Sequence, residues 1–355
     1  MRTKVLVLAL MLLAALPPVA QADDDSSNRL TFMTRNLYVG SSYSHIENAP
    51  DALAFIQGAS RIWANVQATN FPVRAEALAD EIASEKPAVV GLQEVTLFRT
   101  QVPSDPASPA TEVAFDHLQI LLDALARRGL SYGVAASMDG FDAEAPVFGG
   151  PTGLIDVRVT DRDVVLVRSD LPGLRTIASQ SHHYEAHVSV MTPLGPVPTP
   201  RSFNALDMTF DGRPFRVINT HLEPDGPGRL VQEAQARELV AGPLATDRTT
   251  IALGDFNSAA DGSTSATYGI LRDADLVDGW NAAKVRSAGF TCCQAELLGN
   301  PISQLDERID LVLTRGDART KSVHLVGDQP ADRINSLWPS DHAGVVATIR
   351  IGEDG

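Results

Sequence analysis

Cysteine is scarce in this sequence: 355 residues hold only Cys292 and Cys293, and these are adjacent. Two neighbours provide no disulfide framework, and no Cys/His spacing of the zinc type accompanies them. Three readings stay open for the pair, namely a vicinal disulfide closing a strained small ring, a dimer contact, or a buried thiol pair. Their role is read as structural rather than redox. Basic residues are also in deficit, 29 Lys and Arg against 44 Asp and Glu. An acidic chain repels nucleic-acid phosphates at long range, which argues against tight, indiscriminate nucleic-acid binding while leaving room for a local basic groove. No apolar run reaches the roughly 18 residues needed to span a bilayer. Internal repeats and an inter-domain linker are absent too. A hydrophobic content of 44% with 21% charge leaves an ordinary globular protein.

What is present begins with MRTKVLVLALMLLAALPPVAQA. Arg2 and Lys4 precede an apolar run of about a dozen residues, and Ala20-Gln21-Ala22 supplies the small-x-small cleavage pattern of a secretory signal. Cleavage near Ala22 predicts an exported protein, periplasmic or extracellular, with no stable membrane anchor and no evident protein partner. Losing Arg2 and Lys4 takes the net charge from −15 to about −17. An acidic leader over 23–29 then precedes a single domain over 30–355.

Runs rich in Val, Ile and Leu recur at 29–36, 87–94, 163–168, 215–221, 249–257, 308–315 and 342–351, with the lengths of core strands. Asp211-Gly212, inside 203–221, predicts a tight hairpin. Helical periodicity marks 73–87, where Ala75, Leu78, Ala79, Ile82 and Ala83 share a face and Pro87 stops the helix. It recurs over 112–130 and 228–242, which end at Gly129 and Gly242. Segments 99–111 and 138–162, rich in Pro, Gly and Asp, read as surface insertions. The pattern predicts one α/β domain with two sheets back to back.

Polar residues gather at the ends of these strands: Asn36, Glu94, Asn219, His221, Asp255, Asn257, Asp310, Ser340, Asp341 and His342. Singly, each has an ordinary explanation, because Asx residues cap turns and histidines pack. As a set they converge on one sheet edge if the strands lie side by side, and α/β sites are built there. Oxygen ligands from Glu94, Asn36, Asp255 and Asp341 suit a hard cation such as Mg²⁺, Mn²⁺ or Ca²⁺. Two histidines with carboxylates to orient them suit proton transfer. Together these are the requirements of phosphoester hydrolysis. His182, His183 and His187 lie in a strand-like segment and read as surface histidines rather than a metal cluster.

GLQEV (91–95), NTHL (219–222), GDFN (254–257), RIDLVL (308–313) and SDHAGV (340–345) stand in the order found in the endonuclease/exonuclease/phosphatase superfamily, and the chain resembles that group over residues 30–351. The resemblance implies a four-layer α/β/β/α sandwich, DNase I-like, with two mixed sheets face to face and the site at their edges. It implies Glu94 as principal metal ligand with Asn36 beside it and Asp341 contributing, and a divalent cation, Mg²⁺ first, as cofactor. Asp255 would activate water, and Asn257, two positions on along an extended chain, would hold the phosphate or that water. His221 would contact the phosphate, and His342 would be the second catalytic histidine, oriented by Asp310. Asn219, Ser340 and Trp338 complete the set as substrate-binding candidates, Trp338 able to stack, touch lipid or merely pack. Tyr38 replaces the acidic or amide residue some members carry two positions after the first-strand Asn, which weakens the case for two metals. Arg162 and Asp163 could face substrate or form a salt-bridged strand entry, and the second reading is preferred. The expected activity is hydrolysis of a phosphodiester in a nucleic acid, a phospholipid or a small molecule. A non-catalytic binding module on this fold predicts loss of one of Glu94, Asp255, His221 or His342, and none is lost.

Overall fold

The computed structural model describes residues 28–149, 153–193 and 195–352, so the expected secretory signal and most of the expected acidic leader lie outside the described residues. Arg29, where the expected leader and the first expected strand overlap, opens that strand. In chain order the elements are β1 (Arg29–Asn36), α1 (Ala52–Ala68), α2 (Phe71–Glu85), β2 (Val89–Gln93), β3 (Leu97–Gln101), β4 (Glu112–Asp116), α3 (His117–Arg127), β5 (Tyr132–Phe148) and β6 (Leu154–Arg168). The second half holds β7 (Leu174–His183), β8 (Val188–Thr192), β9 (Gly195–Thr199), β10 (Ser202–Phe210), β11 (Arg213–His221), α4 (Arg229–Ala241), β12 (Thr250–Asp255), α5 (Thr267–Asp273), β13 (Val277–Asp278), α6 (Gly279–Ala282), β14 (Asp310–Arg315), β15 (Ala318–Val326) and β16 (Gly344–Ile351).

One sheet runs β15-β16-β1-β2-β6-β3-β4, with β5 on β6, and the other runs β13-β14-β12-β11-β10-β7. Each is mixed, since β1–β2 and β11–β12 pair in parallel among antiparallel neighbours. Period-two alternation assigns the faces. Leu30, Phe32, Val89 and Val345 of the first sheet meet Val217, Ile251, Leu253 and Val312 of the second in one core. Their strand neighbours Met33, Val90 and Val346 point the other way, onto Leu78 and Ile82 of α2 and Leu121 and Leu125 of α3. Across the molecule Ile218, Ala252 and Leu311 face Ala236 and Leu239 of α4 and Leu271 of α5. The result is the four-layer α/β/β/α sandwich, two mixed sheets face to face with helices outside.

Two expectations need correction. Residues 112–116 are a strand paired with β3, and the helix expected over 112–130 starts only at His117. The Asp116 carboxylate accepts from the backbone N–H of Leu118 and so fixes the N-terminus there. Segment 138–162 is no surface insertion either. Most of it lies in β5 and β6, which pair from Tyr132↔Arg168 to Phe148↔Leu154. Register shifts between Val134 and Ala136 and between Asp139 and Asp142 absorb the residues that disguised the strands. The hairpin at Asp211-Gly212 forms as expected, both residues having positive φ.

Motif glycines mark where backbones crowd. A Cβ on Gly254, whose φ is +150°, would lie 2.0 Å from the carbonyl oxygen of Thr220 on the adjacent β11. Because β11 is itself interior to its sheet, neither strand can yield. Gly254→Ala is expected to cost about 3 kcal/mol, read as a fall of about 1 M in the urea midpoint at unchanged slope. An unmoved midpoint would show that the strands do separate.

Candidate active site

The alternation that builds the core also aims the site. Counting in twos from Ile251 and Leu253 reaches Asp255, from Val217 reaches Asn219 and His221, and from Phe32 reaches Thr34 and Asn36. These side chains therefore enter the space between the sheets at one edge. Register completes a row across the second sheet, with His221 opposite Asp255 and Asp255 opposite Asp310. The loop before β16 brings His342 over the same edge, its Nδ1 2.8 Å from Asp310 Oδ2.

Asp255 is the hub. Its Oδ1 accepts from the backbone N–H of Asn257 at 2.9 Å. Its Oδ2 accepts from Asn36 Nδ2 at 3.2 Å and lies 3.6 Å from His221 Nε2 and 3.9 Å from His342 Nδ1. Glu94 accepts from Asn36 Nδ2 at 3.1 Å and from the Val39 N–H at 2.7 Å. Glu94, Asn257 and Tyr38 all adopt left-handed backbone, φ 55°, 50° and 62°, as constrained functional turns often do.

Burial and unbalanced charge set the protonation states. Burial, then Asp310, raises the Asp255 carboxyl to about 7 against the pull of His342. Burial likewise brings Asp341 to about 6 and Asp161 to about 7, Glu94 adding to both. Burial followed by the Arg201 guanidinium holds His221 well below the usual histidine range. Burial pulls His342 the same way, but Asp310, Asp341 and Asp255 outweigh it and hold the ring well above that range. One imidazole is thus neutral and the other protonated, the separation that assigns acid and base roles.

Several expected residues occupy other posts. Asn36 donates its N–H₂ to two carboxylates while its Oδ1 accepts from the Tyr38 N–H, so it bridges ligands here rather than offering an oxygen. Asn219 is fully buried one step below His221, accepting from Gln93 Nε2 at 2.7 Å and donating to the carbonyls of Leu92 and Val164. It forms a floor under the site, its amide satisfied within the protein. Ser340 is likewise buried, donating to the Asn36 carbonyl at 2.8 Å. Trp338 is 0% exposed, its indole N–H on the Asn300 carbonyl, which removes it from any lipid or base contact. The chain leaves extended geometry at Asn257, whose Nδ2 donates to the Leu222 carbonyl, so the shared-side argument for Asp255 and Asn257 ends at Phe256.

Arg162 pairs with Asp116, as a strand entry would, but Asp163 does not. Asp163 is buried beside His221, with Oδ1 3.7 Å from Nδ1 and Oδ2 accepting from Ser202. Arg201, unremarked in the sequence, reaches both ring nitrogens of His221 and pairs with Glu223. Two more buried cations place the site loops. Arg74 donates to the carbonyls of Leu37, Tyr38, Thr69 and Pro339, burial pulling its guanidinium down to about 10. Arg35 is ion-paired to Glu81 and donates to the His342 carbonyl. The three histidines at 182–187 do not cluster: His182 lies against Phe203, His183 meets the Asp139 carbonyl, and His187 meets that of Glu185.

The donor set fits a hard divalent cation. Glu94, Asp255 and Asp341 offer carboxylate oxygens, and the buried Oδ1 atoms of Asp161, Asp163 and Asp310 have no hydrogen-bond partner. Ligand atoms of Asp255, Asp310 and His342 lie within 4.8 Å of one another. An α/β/β/α sandwich with a buried acid–histidine site on one sheet edge is the frame of metal-assisted phosphoesterases. The chain belongs to the endonuclease/exonuclease/phosphatase family, whose model matches residues 62–342, and it is a hydrolase of phosphoric ester bonds. That family generally depends on a divalent metal.

Among solved structures, a family protein from Leptotrichia buccalis is similar with a TM-score of 0.56 at 14% identity, covering 90% of this chain and 99% of its own. A mannosyl-6-phosphatase from Bacteroides thetaiotaomicron follows at 0.53 and 15%, covering 90% and 99%. A humanized D. rerio TDP2 gives 0.52 and 17%, covering 91% and 99%. At these identities the likeness is one of fold. No protein curated for function matches the sequence.

The raised carboxyls predict a pH-dependent fold. Asp255, Asp161 and Asp341 keep their protons to about 6 or 7 when folded but release them near 3.8 when unfolded, so these three groups make the metal-free protein less stable as pH rises from about 4 to 7. His221, held neutral in the fold, contributes in the opposite direction. His342 acts in the same direction as the carboxyls, its contribution being lost as pH climbs through its raised folded value. A divalent cation replaces the missing positive charge. Mg²⁺ or Mn²⁺ is therefore expected to raise the Tm far more at about pH 8 than at about pH 5. An equal shift at both would refute this charge balance.

Proposed function

We propose that the protein is an exported, divalent-metal-dependent phosphodiesterase. The observation that carries the reading is the pair of oppositely tuned histidines, neutral His221 and protonated His342, flanking Asp255. A cation held by Glu94, with Asp255 and Asp341 adjacent, would neutralise phosphate charge and polarise the ester. Asp255, steadied by Asn36 and the Asn257 N–H, accepts a proton from the attacking water. The His342 imidazolium, held by Asp310, donates a proton or a charge-assisted hydrogen bond to the phosphoryl oxygens. His221, packed between Arg201 and Asp163, holds the other side of the group. The excess of carboxylates over cations favours a singly charged diester over a doubly charged monoester, which it repels more strongly. Trp338 is buried, and the aromatic residues nearest the acidic cluster are the buried Tyr38 and the half-buried Tyr43, which packs edge-on against Phe141; nucleic acid or a small diester is the preferred substrate class. Export rests on the signal pattern and predicts a mature N-terminus at Asp23.

The test sets bis(para-nitrophenyl) phosphate beside the corresponding monoester and supercoiled plasmid, each with Mg²⁺, Mn²⁺ or EDTA. Diester turnover that EDTA abolishes is expected, with Glu94→Gln and His342→Ala each lowering kcat/KM by about 10²–10⁴. Preference for the monoester would make the protein a phosphatase. Inertness toward all three by folded protein would favour the binding module.

A further inference from the structure

Cys292 and Cys293 are joined as a disulfide, and they stand at the mouth of the site. Cys293 is exposed, and its Sγ lies 3.9 Å from Nε2 of His342, the ring nitrogen that Asp310 does not hold. Ligand atoms of Cys292, Cys293 and His342 all fall within 4.8 Å of one another. The backbone holds this segment against His342 without help from the S–S bond. The Ala343 N–H donates to the Thr291 carbonyl at 2.8 Å, and the Gln294 N–H donates to the Asp341 carbonyl at 2.8 Å. The cysteine pair is thereby bracketed against the residues on either side of His342. Further bonds from the Thr291 and Cys292 N–H groups to the Glu307 carbonyl fix the segment from behind.

We propose that the disulfide conceals a thiophilic metal site, formed on reduction by Cys292, Cys293 and His342 and fitted to Zn²⁺. Reduction by a dithiol passes two electrons and two protons to the sulfurs, giving two thiols and leaving the reductant as its cyclic disulfide. Zn²⁺ then displaces both thiol protons and binds the two thiolates and His342 Nε2, the imidazolium releasing its Nε2 proton to solvent. Nδ1–H stays on Asp310, which gives the carboxylate–histidine–zinc order that orients a ligating imidazole. Asp341 Oδ1, 4.0 Å from Nε2, or a water completes four-coordination. Oxidised, the pair presents no thiolate and leaves His342 free. Reduced and loaded with zinc, the site withholds that ring from any proton transfer.

The test does not depend on turnover. Protein is reduced with a phosphine, which with one water becomes the phosphine oxide, then desalted without oxygen and titrated with Co²⁺ as a spectroscopic stand-in for Zn²⁺. One equivalent is expected to raise an intense thiolate-to-cobalt absorption that Zn²⁺ then abolishes. The oxidised protein should show none, and oxygen ligands elsewhere in the site cannot produce it. Cys293→Ser is expected to lose the band and His342→Gln to weaken binding at least about tenfold, circular dichroism showing both folded. No band in the reduced protein, or one unchanged in either variant, would overturn the proposal.

Discussion

The hydrogen bond from Gln93 Nε2 to Asn219 Oδ1, 2.7 Å long and fully buried, ties one sheet to the other directly beneath the site. Most of the space between the sheets is apolar and sets a distance without choosing a lateral position. Here two amides choose it, with Thr34 donating to the other end of Gln93 and Asn219 donating to carbonyls of β2 and β6. Gly91 makes room, since a Cβ there would stand 2.5 Å from Asn219 Oδ1. One step outward along the same strands, Asn36 and Glu94 from one sheet meet His221 and Asp255 from the other. The alignment of the two halves of the candidate site therefore rests on a buried polar layer. An unsatisfied amide at that depth would be costly, so the layer admits few other arrangements.

Above that layer the protein concentrates like charge. Asp161, Asp163, Asp255 and Asp310 are buried beside the half-buried Glu94 and Asp341, and the cations that act on them are His342, Arg201, Arg162 and Arg74. The arrangement is unfavourable by itself, which the raised carboxyls record. It persists because the scaffold is stiffened from outside: Arg74 on α2 gathers four carbonyls from three segments, and Arg35 locks the His342 backbone to Glu81. Strain at a site carried by rigidity elsewhere is a general pattern.

Much of this was legible in the residues. Strands ending in Asn36, His221 and Asp255 carry period-two patterns whose polar ends fall in phase with the inter-sheet core, whereas Glu94 and His342 fall out of phase and reach the same edge through the left-handed turn at Glu94 and the loop before β16. Arg74 also left a trace, since it lies on the same helical face as Phe71, Ala75 and Leu78, where a solvated arginine has no place. What could not be read was anything fixed by a partner far along the chain. Asn219 and Ser340 look like site residues because they sit in the motifs, yet pairing with Gln93 and Asn36 turns them inward. Trp338 adjoins the SDH motif but is sealed under the loop at Asn300. Asp163 and Arg201 matter only because β6 and the start of β10 meet at His221, and no local pattern announces that meeting. The strands within 138–162 were hidden by bulges, whose extra residues break the alternation on which strand recognition depends.

The pairing of β1 with β16 has a consequence for how the protein comes into being. Asn36 rides on a strand whose antiparallel partner is made almost a whole chain later, and His342 stands just before that partner. A nascent polypeptide therefore carries one side of the candidate site without the other. A hydrolase assembled in this way cannot attack the phosphate esters of its own cell during synthesis, and a cut anywhere between these strands that lets either one leave would silence it.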